Sequence, residues 1–435
     1  MGDTENKTQI AVVGCGYVGL TTAACLVDLG HSVIGVDNSP ERLESLQAGK
    51  VPFFEPGLEE LVASGLESND LIFTSDLQEA VSEAELIFVC VPTPSKDDGS
   101  ADLTQVHVVC EGIRNSLSPG SVVVIKSTVP IGTSIKVTEW LERADVEVVS
   151  NPEFLQAGRA ISAFQNPDRV IIGADTPEAK EKVSHLYTNL STQILFTDPS
   201  SAELIKYASN AYLAARLTFV NAIAELCEKT DGDATTVMQG MGLDKRIGEA
   251  FLQPGPGWGG SCFPKDTQAL IAVASEAGSD SAFLDAVLES NEARFAQIAE
   301  VVNQSVEDDS EKKVAILGLA FKAGTDDTRE SPSLKIASLL LESGMKVVGY
   351  DPQVNTAPLQ GLEIADSPEE AAKEADVLLV LTEWKGFLGL DLPKLYESMN
   401  GNILIDTRNV FDRKDLVDAG FSVWRAGEGW VGDIQ

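Results

Sequence analysis

The stretch TQIAVVGCGYVGLTTAACLVDLGHSVIGVD, residues 8–37, decides the fold. Its first seven residues form an apolar run that predicts a buried strand. The glycine-rich segment that follows predicts a turn into a helix, and HSVIGVD predicts a second strand. Two strands joined by a helix run parallel, because only a crossover connection returns the chain in the same direction. We therefore expect a Rossmann-like sheet to begin at the N-terminus.

Three glycines of this stretch have the G-x-G-x-x-G order of a dinucleotide-binding turn. Gly14 permits the tight turn, Gly16 lets the backbone approach a pyrophosphate, and Gly19 lets the helix pack closely on the strand. The N-terminus of the helix favours the phosphate charge. Tyr17 and Val18 lie inside the same turn and belong to the predicted cofactor site.

The second strand ends in Asp37, the acidic residue that completes this pattern. A carboxylate at this place bonds a ribose 2′-hydroxyl and repels a 2′-phosphate, so NAD is favoured over NADP. The alternative is a glycine turn in a Rossmann-like domain that binds nothing.

The strand–helix alternation continues beyond this unit. Strand-like runs recur at ELIFVCVP, SVVVIKSTVP, VEVVSNPEF, DRVIIGA and TQILFTD. They predict an open parallel sheet with helices on both faces, filling residues 1–198.

The sequence of residues 199–303 contains no strand-like run. Apolar and small residues recur at helical spacing in 204–217, which predicts a helix of more than 25 residues that links domains or packs on a second subunit.

After the charged linker VEDDSEKK, residues 306–313, the runs KKVAILG, MKVVGYDP, DVLLVLTEW and NILIDTRN repeat the alternation of strands and helices over 310–435. This section lacks the full glycine fingerprint, because Leu319 and Ala320 follow its first glycine. The predicted fold class is α/β, with two Rossmann-like, doubly wound parallel-sheet domains joined by a long-helix region.

Charge excludes one class of partner. The chain has 67 acidic and 32 basic residues, a net charge of −35. A nucleic acid would be repelled, so nucleic-acid binding is excluded. The charge favours adaptation to a salt-rich cytoplasm, a halophilic interpretation; the alternative is an acidic mesophilic protein.

Membrane and metal partners are also not expected. No run approaches the ~18 to 20 apolar residues of a membrane span, and the acidic, polar N-terminus has no signal-peptide core. We expect a soluble, cytoplasmic protein. With six cysteines in no CxxC pair and three histidines, no metal site is expected.

The stretch GPGWGGSCFPKDTQAL, residues 255–270, separates one cysteine from the others. Pro264 suits the first turn of a helix, which places Cys262 just ahead of a helix N-terminus. The helix dipole and Lys265 there favour the thiolate, and Asp266 can reach back to the same place. The flanking glycines would let a ligand approach closely. The alternative is an inert buried cysteine, as expected for the other five.

A further pair lies in ELIKYASNAYLA. Lys206 and Asn210 are four residues apart, so they share one face of a helix. An ammonium and an amide that point together can stabilise a developing oxyanion. The alternative is an ordinary solvated helix face.

Several motifs occur in order along the chain: GCGYVGL, FFEPGLEEL, VPTP, STVPIGT, NPEFL, KYASNAY, GPGWGGSCFPKD and GLAFKAGTDDTRES. In these residues the protein resembles the UDP-glucose/GDP-mannose dehydrogenase family. The resemblance implies an NAD-dependent, four-electron oxidation of a nucleotide-sugar alcohol to a carboxylate, with two hydrides passing to two NAD⁺. The sequence around GGSCFPKDT is most similar to that of family members that convert UDP-glucose to UDP-glucuronate, a precursor for polysaccharide biosynthesis or protein glycosylation. UDP-N-acetylmannosamine or GDP-mannose as the substrate is the close alternative, and a catalytically silent nucleotide-sugar-binding protein is the alternative of another class.

The resemblance also implies roles for individual residues. Cys262 matches the nucleophile that forms a thiohemiacetal and then a thioester. Lys206 and Asn210 match residues that hold the substrate oxygen and stabilise its charge. Asp266 and Thr128 match residues that position a water.

The remaining roles come from the matched motifs alone. Glu153 matches a carboxylate used in acid–base work at the thioester stage. Cofactor contacts are implied for Asp37, Arg42, Thr93, Thr128, Lys265 and Arg329. Sugar-nucleotide contacts are implied for Glu153, Phe154, Leu155, Lys206, Asn210, Arg246, Phe251, Gly255, Gly259, Phe321, Lys322 and Arg408.

The resemblance also implies an oligomeric assembly and a division into domains, and two residues differ from the family pattern. Arg246 matches an arginine that reaches into a partner subunit's site, and the central section matches the family's dimerisation region, so a homodimer or larger homo-oligomer is expected. The implied domains are an NAD-binding domain (1–198), a helical dimerisation domain (199–303) and a UDP-sugar-binding domain (310–435). Ala157 stands where many members carry glutamate, and Trp258 replaces the usual Phe or Tyr.

Overall fold

The computed structural model describes residues 7–230, 232–306 and 312–431. The chain divides into two compact units. The first comprises Met1–Ser209 with Gln268–Ser279, and the second comprises Asn210–Thr267 with Asp280–Gln435. Most of the predicted linker at 306–313 lies outside the described residues.

The first unit contains an eight-stranded sheet. Its strands are β1 (Gln9–Val13), β2 (Ser32–Val36), β3 (Leu71–Thr74), β4 (Leu86–Val89), β5 (Val122–Ile125), β6 (Glu147–Ser150), β7 (Arg169–Gly173) and β8 (Gln193–Thr197). They lie in the order β3-β2-β1-β4-β5-β6-β7-β8. Neighbours are parallel except β6 and β7, which are antiparallel.

Helices cover both faces of this sheet. They are α1 (Tyr17–Asp28), α2 (Pro40–Gln47), α3 (Leu58–Glu67), α4 (Leu77–Glu83), α5 (Thr104–Ile113), α6 (Thr133–Leu141), α7 (Ala160–Gln165) and α8 (Pro177–His185). Successive side chains of a strand point to opposite faces. Ile10 and Val12 of β1 accordingly lie in one buried cluster, and Ala11 and Val13 lie in another. The nearly continuous apolar runs of the sequence follow from this burial on both faces.

Helices α9 to α12 follow in the chain. They are α9 (Pro199–Thr230), α10 (Ala234–Gly242), α11 (Phe263–Glu276) and α12 (Ala282–Ser305). Helix α9 has 32 residues, which confirms the expectation of a helix longer than 25 residues. Between 199 and 305 the described residues form no strand.

The second unit contains a seven-stranded sheet. Its strands are β9 (Lys313–Leu317), β10 (Lys346–Tyr350), β11 (Leu362–Ile364), β12 (Val377–Val380), β13 (Ile403–Asp406), β14 (Ser422–Arg425) and β15 (Gly429–Val431). Their order is β11-β10-β9-β12-β13-β14-β15, and only β14 and β15 are antiparallel. The helices of this section are α13 (Pro332–Glu342), α14 (Pro368–Ala372), α15 (Leu392–Ser398) and α16 (Arg413–Asp418), with a 3₁₀ helix at Lys385–Gly389.

The two sheets begin with the same turn. Gly14 after β1 and Gly318 after β9 both have φ of +95°. In each turn the amide of the next residue donates a hydrogen bond to a carboxylate after the neighbouring strand, Asp37 (2.9 Å) or Asp351 (2.8 Å). The third section therefore keeps the turn and its carboxylate although it lacks the glycine fingerprint.

The predicted fold class is confirmed, and every strand-like run forms a strand. Four short strands, β3, β11, β14 and β15, were not predicted, and the two antiparallel pairs depart from a purely parallel sheet. No helix in the described part of the chain combines the length and apolar character that crossing a membrane requires.

Candidate active site

The glycine turn of the first unit leaves room for a ligand at one position. A Cβ at Gly19 would lie 1.8 Å from the Gly14 carbonyl oxygen, so Gly19 is required by the chain itself. A Cβ at Gly16 would meet no atom within 4 Å. Gly16 precedes α1 and gives its N-terminus no side-chain hydrogen bond, and Tyr17 and Val18 form the first turn. The open space and the exposed helix N-terminus fit a pyrophosphate group.

Asp37 lies beside this turn in a fixed orientation. Its side chain is buried and accepts hydrogen bonds from the amides of Cys15 and Ser39 and from Arg42 Nη1, each 2.9 Å long. The structure thus brings Asp37 and Arg42 together beside the glycine turn. A carboxylate held there fits the ribose of NAD.

Thr93 and Thr128 follow β4 and β5, two neighbouring strands of the same sheet. The Thr93 hydroxyl donates a hydrogen bond to the Thr128 carbonyl oxygen over 2.7 Å. Because parallel strands present their carboxyl ends at one edge, both residues lie on the edge that carries the glycine turn.

Glu153 and Lys206 form a buried ion pair in the first unit. Glu153 Oε1 lies 2.8 Å from Lys206 Nζ, and the side chains are 7% and 5% exposed. Glu153 Oε2 accepts the Leu155 amide, and Lys206 Nζ lies 5.3 Å from the centroid of the Phe154 ring. Burial raises the pKa of Glu153, but Lys206 more than offsets this and holds the pKa below its ordinary value. Glu153 is therefore an anion at neutral pH and is able to accept a proton.

Lys126 is a second buried lysine near this pair, and the sequence reasoning missed it. Its Nζ donates to Asn151 Oδ1 over 3.0 Å, and the Tyr187 hydroxyl donates to the same oxygen over 2.7 Å. Burial lowers the pKa of Lys126 to about 8, opposed by the charge of Glu153 and reinforced by that of Lys206. A charged residue inside the apolar run SVVVIKSTVP was the signal that could have identified it.

Asp266 is the centre of a hydrogen-bonded group in the second unit. It is fully buried, its Oδ2 accepts from Asn210 Nδ2, and its Oδ1 accepts from Lys265 Nζ, both over 2.6 Å. These three predicted residues are thus in direct contact. Helix α9 continues from Lys206 to Asn210, so these two residues are one turn apart as predicted.

Cys262 occupies the position just ahead of α11. Its carbonyl oxygen accepts the Asp266 amide over 2.8 Å, which makes it the residue that begins the helix, with Pro264 in the first turn. Cys262 is exposed, whereas the other five cysteines are buried. The helix N-terminus favours a thiolate at this place. Arg329 is nearby: its hydrogen bonds to Asp327 raise the pKa of its guanidinium, and the charge of Cys262 raises it further.

The glycines of the loop before Cys262 are explained by the chain itself. A Cβ at Gly257 would lie 2.3 Å from the Phe295 ring, and one at Gly259 would lie 1.9 Å from the Glu330 carbonyl oxygen. We expected these glycines to admit a ligand, but the close neighbours observed are residues of the same unit. A sugar contact at Gly259 stays a prediction.

Trp258 anchors this loop. The indole is buried and donates to Thr218 Oγ1 over 2.8 Å. The Asn291 side chain bonds both the amide and the carbonyl of Trp258, each over 2.9 Å. The aromatic residue that departs from the family pattern therefore fixes the loop.

The other predicted residues of the second unit are more dispersed. The Arg246 side chain is 89% exposed and bonds to Asp244; within the described chain it bonds to no predicted site residue. Two glycines of the loop are close to predicted residues: a Cβ at Gly255 would lie 3.0 Å from Arg408 Nη1, and one at Gly260 would lie 2.8 Å from the Phe321 ring. Lys322 Nζ lies 5.5 Å from the centroid of the same ring. Phe251 has a positive φ of +57°. The described residues contain no group of three or more His, Cys, Asp and Glu side chains able to hold a metal.

The glycine turn with its carboxylate, and an exposed thiol at a helix N-terminus, define a dinucleotide-dependent dehydrogenase. Three models of the UDP-glucose/GDP-mannose dehydrogenase family match the chain: the NAD binding domain over 8–191, the central domain over 200–293 and the UDP binding domain over 315–413. The chain belongs to this family. The expected family, the class of NAD-dependent oxidoreductase and NAD as cofactor are thereby confirmed.

Known relatives share most of their length with this chain. A UDP-glucose 6-dehydrogenase of Rhizobium meliloti is 42% identical, covering 95% of this chain and 98% of the relative. The structure of a UDP-glucose dehydrogenase from Pyrobaculum islandicum is 34% identical with a TM-score of 0.90, covering 99% and 100% of the two chains. The structure of a UDP-D-ManNAc dehydrogenase from Pyrococcus horikoshii is 28% identical with a TM-score of 0.87, covering 97% and 99%.

Substitution of Lys126 by Met tests whether the buried ammonium is kept at the expense of stability. Because the pKa of Lys126 is about 8 in the folded chain and 10.5 for a lysine in water, the unfolded chain binds more protons between these values. Wild-type stability should therefore gain on the order of 3 kcal/mol as pH rises through this window, and Lys126→Met should not. We expect kcat/KM of the variant to fall about tenfold, since one cation beside Glu153 is lost.

Thermal unfolding and turnover at pH 7 and 9.5 measure both effects, and about 2 kcal/mol of the expected gain falls between these two pH values. Lys50→Met, at an exposed lysine, is the control and should change neither. A stability difference between wild type and Lys126→Met that is the same at both pH values contradicts the prediction.

Proposed function

We propose that this protein oxidises UDP-glucose to UDP-glucuronate. The observation that carries the proposal is the exposed Cys262 thiol at the start of α11, one turn from Asp266. Support for UDP-glucose comes from the relatives named UDP-glucose 6-dehydrogenase. Bound NAD⁺ supplies the hydride acceptor in each of two oxidations. The balance is one UDP-glucose, two NAD⁺ and one water, giving UDP-glucuronate, two NADH and three protons.

Cys262 carries the covalent part of the reaction. Its sulfur adds to the C6 aldehyde to form a thiohemiacetal, and loss of a hydride from C6 turns this into a thioester. Water then breaks the C–S bond, which releases the carboxylate and restores the thiol. The amides at the N-terminus of α11 favour the thiolate that each cycle requires.

Buried polar residues handle charge and protons. Lys206 and Asn210 stabilise the oxygen at C6 while negative charge develops on it. Glu153, held as a carboxylate by Lys206, accepts a proton at the thioester stage. Asp266 and Thr128 position the attacking water. In this proposal both Asp266 oxygens are already bonded, so its geometry is set before the substrate binds.

The ligand contacts and domain roles are part of the same proposal. Residues 1–198 bind NAD through the glycine turn, Asp37 and the other assigned cofactor contacts. Residues 199–303 dimerise, and 310–435 bind the UDP moiety with Phe321, Lys322 and Arg408. Positive charge at these positions attracts an anionic substrate to a protein whose net charge is −35.

A nucleotide-sugar panel tests the reaction. We expect two NADH per UDP-glucose, measured as absorbance at saturating NAD⁺, and no comparable turnover of UDP-N-acetylmannosamine or GDP-mannose. Cys262→Ser should bind UDP-glucose normally but should release UDP-glucuronate much more slowly than wild type, because a serine hydroxyl cannot replace the thiolate. Cys227→Ser, the same replacement at a buried cysteine of the second unit, is the matched control and should keep the wild-type rate.

Different results would refute different parts of the proposal. Turnover of one of the other two sugars instead of UDP-glucose would transfer the assignment to that substrate. Binding of UDP-glucose without NADH formation would favour a silent binding protein. UDP-glucuronate released by Cys262→Ser at the normal rate would exclude the thioester.

We further propose that α9 pairs with a second copy of the chain. Tyr212, Phe219 and Leu226 are 64%, 51% and 55% exposed, and with Ala215 and Ala222 they recur at spacings of three and four. This spacing puts them on one face of the helix. An apolar helical stripe open to water is the geometry of a helix–helix interface.

The double variant Tyr212→Glu/Phe219→Glu should convert dimers to monomers, because it buries charge in the interface. Light scattering after gel filtration measures the mass, and Phe219→Leu should remain dimeric. A wild type that is monomeric, or a double variant that stays dimeric, is incompatible with this interface.

We also propose that the protein works in a salt-rich cytoplasm. All six cysteines are free, as expected in a reducing compartment. Since salt screens the repulsion among 67 acidic residues, Tm should rise between low and molar KCl. Sorbitol at equal osmolality is the control. A Tm that is flat or falls with KCl contradicts the proposal.

A further inference from the structure

Glu55 is a buried carboxylate that the proposed reaction does not use. It belongs to the motif FFEPGLEEL and is 6% exposed. Its Oε2 accepts the Tyr17 hydroxyl (2.5 Å) and the Gly158 amide (2.7 Å), and its Oε1 accepts the Ala160 amide (2.7 Å). The structure describes no cation paired with Glu55 in this part of the chain, and these three donors are its hydrogen-bond partners.

The donors belong to two different loops of the first unit. Tyr17 is the first residue of α1, directly after Gly16 in the glycine turn assigned to the cofactor. Gly158 and Ala160 end the loop that begins with Glu153 and continues through Phe154 and Leu155, which are assigned to the sugar nucleotide. Glu55 is therefore the hydrogen-bonded link between the cofactor loop and the sugar loop.

The link is constrained at both ends. The Tyr17 ring packs on Phe53 with centroids 5.1 Å apart. Burial and the hydrogen bond to Glu55 raise the pKa of Tyr17, so its hydroxyl remains a donor. Because one oxygen, Oε2, serves both Tyr17 and Gly158, movement of either loop disturbs the bond to the other.

We propose that Glu55 is a positioning residue that couples cofactor binding to sugar binding. Ordering of the glycine turn by a dinucleotide fixes Tyr17 and, through Glu55, the loop from Glu153 to Ala160. The sugar then binds to a loop that is already ordered, and the coupling is reciprocal. This inference rests on the proposed function, since it uses the assigned ligand loops.

The test measures the affinity for NADH by its fluorescence, with and without saturating UDP-glucose. The two ligands do not react with each other, because NADH cannot accept a hydride. For wild type we expect UDP-glucose to tighten NADH binding about fivefold or more. In Tyr17→Phe, which keeps the ring on Phe53 and both amide bonds to Glu55, the ratio of the two dissociation constants should fall towards one. Glu55→Gln should show the same loss.

Glu203→Gln is the matched control for a merely structural role. Glu203 is also buried, at 2% exposure, and accepts hydrogen bonds from Gly132 and Ser134 at the start of α6. It touches neither ligand loop. We expect Glu203→Gln to lower Tm as Glu55→Gln does while keeping the wild-type ratio.

The outcomes separate this inference from the proposed function. A wild-type ratio of one, or a wild-type ratio retained in Tyr17→Phe, overturns the coupling even when the enzyme forms two NADH per UDP-glucose. If Glu55→Gln does not fold, Tyr17→Phe alone decides. A wild type that does not oxidise UDP-glucose refutes the proposed substrate, and the ratio is then measured with the sugar that it does oxidise.

Discussion

The parallel register of β1 with its neighbours is the constraint on which the first unit's site depends. Val13 pairs with Val36 of β2 and with Val89 of β4, and Val89 pairs with Ile125 of β5. These strands therefore end level with one another, and the residues that follow them meet at one edge. The glycine turn, the Asp37 carboxylate, Thr93 and Thr128 come from four separate parts of the sequence. A slip of one strand by a single residue would turn all of its side chains to the opposite face and separate these groups.

Burial of charge gives this edge its chemistry. The cluster around Glu153 contains one carboxylate and two ammonium groups, Lys206 and Lys126, in a region shielded from water. Burial disfavours the charged form of every group, but its net effect differs between Glu153 and Lys126. The pKa of Glu153 is lowered because the charge of Lys206 offsets burial. The pKa of Lys126 is lowered because burial outweighs the charge of Glu153. The single carboxylate thus forms an ion pair with Lys206 and does not offset the burial of Lys126. The protein carries a buried cation with a lowered pKa next to the Glu153 carboxylate, and this arrangement is typical of a functional site rather than of a core selected for stability.

Much of the fold followed from local patterns, because strands buried on both faces are continuous apolar runs. Strands β3, β11, β14 and β15 were missed because none of them is buried along its whole length, and their short sequences, LIFT, LEI, SVWR and GWV, form no continuous apolar run. The position of Cys262 was also predictable, because Pro264 marks a helix start by its fixed backbone angle. Lys126 and Glu55 were not recognised, because their importance depends on partners 25 to 105 residues away in the sequence, which no local pattern reveals.

The glycine-rich loop shows how a correct local pattern can have a different cause. Glycines suggest flexibility or room for a ligand, but Gly257 and Gly259 are in close contact with Phe295 and with the Glu330 carbonyl. Trp258 between them is bonded through its indole and through both main-chain groups. The loop that leads to Cys262 is therefore packed tightly within its own unit. A nucleophile needs a defined position more than it needs freedom, because misplacement by 1 Å is enough to slow a reaction about a hundredfold. Because Gly257 and Gly259 have no side chain, the loop can pack closely on Phe295 and Glu330, and this packing gives the backbone before Cys262 a defined path.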